Sequence, residues 1–246
     1  MPLTFAGGLG AVSPPRTQRF TPQVVGFTRI QISHATAYAN FTVGGTSPTG
    51  HIVVMFVSRY EGSLAPTGTF SSVTWGGDAL TQVLNPVKTG SQFGGTAVGY
   101  AGYIRGGATG LRNLVVTPDA TELLDAIGWI ISLDRLHEVD PIGASQGTTV
   151  KVLQSAYDLT LNCENSQSLL LGGVAALNDD AHPLSISAGW TLVDGEKTGN
   201  AGGGDIAGVL GRRVAGATGN VSMTATAAPP FSTDDWCRLA LEILPA

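Results

Sequence analysis

The sequence predicts an all-β protein, a β-sandwich of jelly-roll-like plan made of two internally repeated halves around a shared or adjoining core. Three observations predict it. Runs rich in β-branched and aromatic residues recur about every 8–12 residues between Gly, Pro and Ser clusters. Helical periodicity is almost absent. One long stretch is also written twice, as AVGYAGYIRGGATGLRNLVVTPDATELLDAIGWIISLDRL at Ala97–Leu136 and IAGVLGRRVAGATGNVSMTATAAPPFSTDDWCRLALEIL at Ile206–Leu244. Such internal similarity decides the architecture before any single element does.

The GATG tetrapeptides begin at Gly107 and Gly216, 109 residues apart (216 − 107). Trp129 and Trp236 are 107 apart (236 − 129). Upstream, TAYANFTV (Thr36–Val43) echoes SAYDLTLN (Ser155–Asn162), and HIVVMFVS (His51–Ser58) echoes SLLLGGVA (Ser168–Ala175). SVTW ending at Trp75 likewise echoes SAGW ending at Trp190. The boundaries expected are an extended arm over 1–22, a first half over 23–140 and a second over 141–246, the halves forming one compact unit.

Residues 1–22 hold four prolines with Arg16 and Arg19 and show no periodicity. Pro14-Pro15 forces an extended backbone. Two readings stand for this segment: a disordered tail, or an arm docking on a neighbour through Phe5, Pro14, Pro15, Arg16 and Phe20. From Gln23 the pattern turns to strand, with QVVGFTRIQI, TAYANFTV and HIVVMFVSR. SVTW–GGD–ALTQVL reads as a hairpin whose glycines supply positive φ. TAVGYAGYI, LRNLVVT and AIGWIISL follow. DATELLDA, Asp119–Ala126, is the single helix candidate, capped by Asp119. VDPIGASQGT, Val139–Thr148, carries the turn residues of an inter-half connection, and seven strand-like runs then complete the second half.

Composition narrows the function. Hydrophobic residues make up 43% of the chain and charged ones 13%, about half the usual charged share, which fits a subunit that buries surface in an assembly. A net charge of −5 with 13 Lys and Arg argues against nucleic-acid binding, which needs a basic stripe. No run approaches the roughly 18 apolar residues of a membrane span, and MPLTFAGGLGAVSPPR lacks the pattern of a secretory leader. Cys163 and Cys237 make no metal spacing and read as small buried hydrophobes, with a disulfide between them as the alternative.

No motif assembles a reaction centre. His34, His51, His137 and His182 sit at loops or strand starts, and no G-x-S-x-G elbow occurs. Glu61, Asp78, Glu138, Asp140, Asp179, Asp180, Asp234 and Asp235 fall in predicted turns, where acids usually bond the local backbone. NDDAH places Asp179, Asp180 and His182 on one loop, a weak calcium candidate that a solvated turn explains better. The chain is therefore expected to need no metal and no cofactor. The four tryptophans recur with the topology and read as core, whereas Tyr60 and Phe93 are the candidates for a carbohydrate contact surface.

SVTWGGDALTQVL, GATG with its following strand, SLDRLHEVDPIGASQGT, AGWTLVDG and STDDWCRLALEILPA together resemble a β-sandwich module of tailed-phage and gene-transfer-agent head spikes, fibres and adhesion-like proteins. The resemblance spans roughly Ile52 to Ala246. It implies a non-enzymatic surface protein of a virion or phage-like particle, assembled in the host cytoplasm. It further implies a trimer or pentamer that meets other virion proteins and binds host capsule or lipopolysaccharide. A tail or baseplate subunit and a polysaccharide-cleaving depolymerase are the alternatives. The resemblance transfers no site residue.

Overall fold

The computed structural model describes residues 20–33, 40–61, 70–88, 95–118, 123–152, 155–178, 184–198, 205–227 and 234–246. Among them the chain is all β, with no helix. The first half holds β1 (Gln23–Ile32), β2 (Phe41–Ser47), β3 (Ile52–Glu61), β4 (Phe70–Trp75), β5 (Asp78–Ala79), β6 (Thr81–Lys88), β7 (Gly95–Ile104), β8 (Gly110–Pro118) and β9 (Leu123–Asp134). The second holds β10 (Ile142–Val152), β11 (Ala156–Cys163), β12 (Leu169–Asn178), β13 (Leu184–Ile186), β14 (Thr191–Lys197), β15 (Asp205–Val214), β16 (Gly219–Ala227) and β17 (Asp234–Ile243).

Four antiparallel sheets result. In the first half the orders are β1-β9-β3-β7-β6 and β2-β8-β4-β5, and in the second β10-β17-β12-β15-β14 and β11-β16-β13. Read element by element, the second pair of orders follows the first, with β5 alone lacking a counterpart among the described strands. The five-stranded sheets stack on each other, and the smaller sheets cover their outer faces, so the described residues form four layers.

Side-chain alternation explains why β3 and β12 carry unbroken apolar runs. Successive residues of a strand point to opposite faces, and both faces of these central sheets are covered. Val53, Met55 and Val57 enter the central core with Leu171, Ala175, Leu210 and Leu239. Ile52, Val54 and Phe56 point the other way, against Phe41, Trp75 and Leu114 of the small sheet. Leu170, Val174 and Ala176 likewise meet Leu159, Met223 and Ala225. Each large aliphatic side chain so buried contributes about 1.5–3 kcal/mol. The low charge content thus has a cause inside one chain.

The neighbours across the central core are β9–β15, β3–β12, β7–β17 and β6–β10, with Arg29 of β1 bonded to Asp194 of β14. One sheet's order therefore runs backwards over the other, with β3 against β12 at the centre. Glycines permit the close approach. A Cβ on Gly99 of β7 would lie 2.8 Å from Cys237 Sγ, and one on Gly208 of β15 would lie 3.0 Å from Ile127 Cγ2.

Four expectations need correction. Trp129 and Trp236 occupy corresponding strands but opposite faces: the first packs in the central core, the second against the small sheet. Pairing puts Leu239 in the place of Trp129, because Met55 pairs with Trp129 and Ala101 while Gly173 pairs with Leu239 and Leu210. Ala101 and Leu210 stand 109 apart (210 − 101), the spacing of the GATG tetrapeptides. A one-residue slip reverses every face of a strand, so an identical Trp misled the alignment. Second, Leu123–Ala126 belong to β9 rather than to a helix, since pairing between β1 and β3 outweighs local propensity.

Third, only β4 and β5 form the glycine hairpin, with Gly76 at φ 60° and Gly77 at φ 98°. After Leu80 the chain crosses to the other sheet, where β6 pairs with β7. Fourth, β10 begins at Ile142 and pairs with β17, so the connection between halves is shorter than Val139–Thr148.

Cys163 and Cys237 are free and buried in different cores. Burial pushes the Cys163 thiol up, and pushes Cys237 up to about 12. Thiolate is the reactive form. We expect native protein at pH 8 to leave both thiols untouched by Ellman's reagent, and denatured protein to yield two equivalents; fast labelling of folded protein would contradict this placement.

Candidate functional site

Three polar constructions interrupt the apolar interior. The first fastens the two halves. Arg29 Nε donates to Asp194 Oδ2 at 2.7 Å, and Arg29 Nη2 donates to Asp194 Oδ1. Arg29 Nη1 reaches Glu196 Oε2 at 3.3 Å, and Trp129 Nε1 donates to Asp194 Oδ2 at 2.9 Å. Burial alone would push the Asp194 carboxyl up, but the hydrogen bonds from Arg29 and Trp129 outweigh it and hold the group below the usual carboxylate range. The hydrogen bond to Asp194 in turn raises the Arg29 guanidinium.

The second lies at the end of β17. Glu242 is fully buried. Its Oε1 accepts the amides of Glu164 (3.0 Å) and Asn165 (2.9 Å), and its Oε2 accepts those of Ala144 (3.0 Å) and Glu164 (3.0 Å). The register break between Ile142 and Ser145 turns the β10 backbone toward this carboxylate. A buried acid that takes its bonds from main-chain donors joins β10, β17 and the β11–β12 turn.

The third opens to solvent. Thr21, Pro22, Gln23 and Val24 on the approach to β1, together with Leu169, Thr191, Arg212, Arg213 and Val214, line a cleft of about 460 Å³. It lies where β1 begins above the ends of β12, β14 and β15. Neither Arg212 nor Arg213 has an ion-pair partner among the described residues. Polar and apolar side chains share the lining and the charge is positive, so the chemistry suited to this cleft is that of a carboxylate.

The expected site residues fare unevenly. Phe20 is described: it is exposed, and the Arg135 guanidinium lies 5.6 Å from its ring centroid. Tyr60 stands near the end of β3, paired with Thr96 of β7 and Leu123 of β9. Phe5, Pro14, Pro15, Arg16, Phe93, Asp179, Asp180 and His182 lie outside the described residues. Two of the histidines serve backbone turns. His51 Nδ1 accepts the Gly106 amide at 3.0 Å, and His137 Nδ1 accepts the Asp140 amide at 3.1 Å. Among the described residues no three His, Cys, Asp or Glu side chains gather as a metal site.

Sequence reasoning missed the Arg29–Asp194 pair, the buried Glu242 and the cleft. The consecutive pair Arg212-Arg213 in a chain with 13 basic residues was the available signal for the cleft. The partners of Arg29 and Glu242 lie 165 and up to 98 residues away, beyond any local pattern. Compared with known protein families, with curated proteins and with solved structures, the chain gives no match in any of the three.

Proposed function

We propose that this chain is a non-enzymatic structural surface protein of a phage or phage-like particle, of head-spike, fibre or decoration type. It would act as a homo-oligomer whose exposed surface meets host polysaccharide. The observation that carries this reading is where the interior charge goes. Asp194 is bonded to Arg29 and Trp129, and Glu242 to three backbone amides, so these two buried acids fasten strands. The matching strand orders of the halves support reading each as a jelly roll, a plan that recurs in capsid and lectin domains. Fold does not by itself assign function, and the particle reading leans equally on the resemblance over Ile52–Ala246.

The test is composition of purified particles. Particles released from a producing host should contain the protein by mass spectrometry. A chain lacking residues 1–22 should keep its melting temperature and be lost from them. Abundant folded protein in the lysate with none in particles would overturn the proposal, and normal incorporation of the truncated chain would remove the docking arm. Release of reducing ends from purified host capsule would instead mark a depolymerase.

A further inference from the structure

We propose that the cleft beside Arg212 binds a sugar acid, the guanidinium taking the carboxylate of a hexuronate or sialate unit. This deepens the polysaccharide contact proposed above, naming the class of sugar and the place that holds it. It rests on that reading for the source of the sugar, while binding itself is measured on the purified chain.

Side-chain alternation decides which arginine serves the cleft. Leu210 of β15 enters the central core, so Arg212, two residues on, points to the same side. There it stands across from Thr191 of β14 and Leu171 of β12. Arg213 faces the small sheet instead, where its Nη1 would lie 3.4 Å from a Cβ on Gly189. The cleft thus has one cation, and no Asp or Glu lines it. Among the described residues the Arg212 guanidinium has no ion-pair or hydrogen-bond partner. Nor does the fold require a cation at this point. Tyr103 holds the corresponding place in β7, 109 residues earlier (212 − 103), and packs against the central core.

The rest of the lining selects among carboxylates. Thr21, Gln23 and Thr191 bring two hydroxyls and an amide, groups that both donate and accept and so match sugar hydroxyls. Pro22, Val24 and Val214 bring apolar surface for the C–H face of a ring. A fatty acid would set its chain against polar groups left without partners, and an amino acid would bring an ammonium with no acid to meet it. A single guanidinium matches the single charge of a sugar carboxylate, which it can hold through two parallel N–H bonds. The volume of about 460 Å³ lies within the roughly 300–1,000 Å³ of small-molecule sites, and the open mouth admits a unit that continues as a polymer. Both halves build the wall: residues 21–24 lead into β1, and the others belong to β12, β14 and β15. A bound sugar would bridge the halves and raise the melting temperature.

The experiment is titration calorimetry with thermal melting on the purified full-length chain. The probes are galacturonate, glucuronate and N-acetylneuraminate, free and as trimers, with galactotriose as the neutral control. At least one acidic sugar should bind saturably and raise the melting temperature, and the neutral control should bind about 10- to 100-fold more weakly. Arg212→Gln should lose the same factor while the melting temperature without ligand stays unchanged, and Arg212→Lys should recover part of it. Thr191→Glu keeps Arg212 but sets a carboxylate across the ladder from it, so it should block binding too and carries the test should Arg212→Gln not fold. Binding of none of the acidic sugars, equal binding of acidic and neutral forms, or full binding by folded Arg212→Gln would overturn the site. Butyrate bound as tightly as the sugar acids would mark a bare anion contact and overturn it as well. Sugar binding by a protein that is absent from particles leaves this site standing and the particle reading fallen; a particle protein that binds no acidic sugar does the reverse.

Discussion

Replacing Glu242 with alanine is expected to cost about 3–5 kcal/mol, a large part of the roughly 5–15 kcal/mol that holds a typical domain folded. The carboxylate accepts the amides of Ala144, Glu164 and Asn165. Its loss leaves three main-chain donors without an acceptor, at about 1–3 kcal/mol for each that water does not reach. Nearby groups leave little room to adjust, since a Cβ on Gly143 would lie 2.7 Å from Glu242 Oε2. Glu242→Gln keeps the shape but turns one acceptor into a donor facing other donors, so it should lie between wild type and Glu242→Ala. Urea unfolding of the three proteins gives this order directly. An alanine variant within 1 kcal/mol of wild type (about the value of a single hydrogen bond) would show that the bonds hold nothing together.

Trp129→Ala should cost about 3–5 kcal/mol and uncouple the halves. The indole fills the central core beside Met55 and Gly173, on the face where the five-stranded sheets meet. Truncation opens a cavity there and removes one of the bonds to Asp194. Wild type should melt in a single calorimetric transition, because both halves share that core. The variant should melt earlier and in two steps, whereas a single undisplaced transition would mean that the halves do not depend on each other through Trp129. Acid should weaken the same junction. The Asp194 carboxyl is held below its ordinary range in the folded state. Its contribution is therefore complete above the ordinary carboxylate pKa and is lost as pH falls through the lowered folded value. Asp194→Asn should flatten that acid limb of the stability curve.

Much of the architecture is legible in the residues because strand chemistry is local. The apolar runs of β3 and β12, the Gly76-Gly77 turn and the alternation in β8 and β16 each follow from a few neighbouring residues. Repeated GATG also aligns β7 with β15 at the spacing their pairing uses. The tryptophans show the limit. Identity at Trp129 and Trp236 suggested one place in two copies, yet face parity separates them, and parity depends on which strand lies alongside. DATELLDA failed similarly, since nothing within eight residues announces that β1 and β3 will claim Leu123–Ala126.

Local residue chemistry suffices for an all-β chain with two sets of strands and for thiols suited to burial. It took the assembled fold to set the two sets back to back, to bring Arg29 to Asp194, to give Glu242 three amides and to open a cleft bordered by Arg212. The physical reason is range. Propensity and turn chemistry act over a few residues, whereas a buried charge must find its partner wherever the fold delivers one, and here the delivery spans 65 to 167 residues of chain.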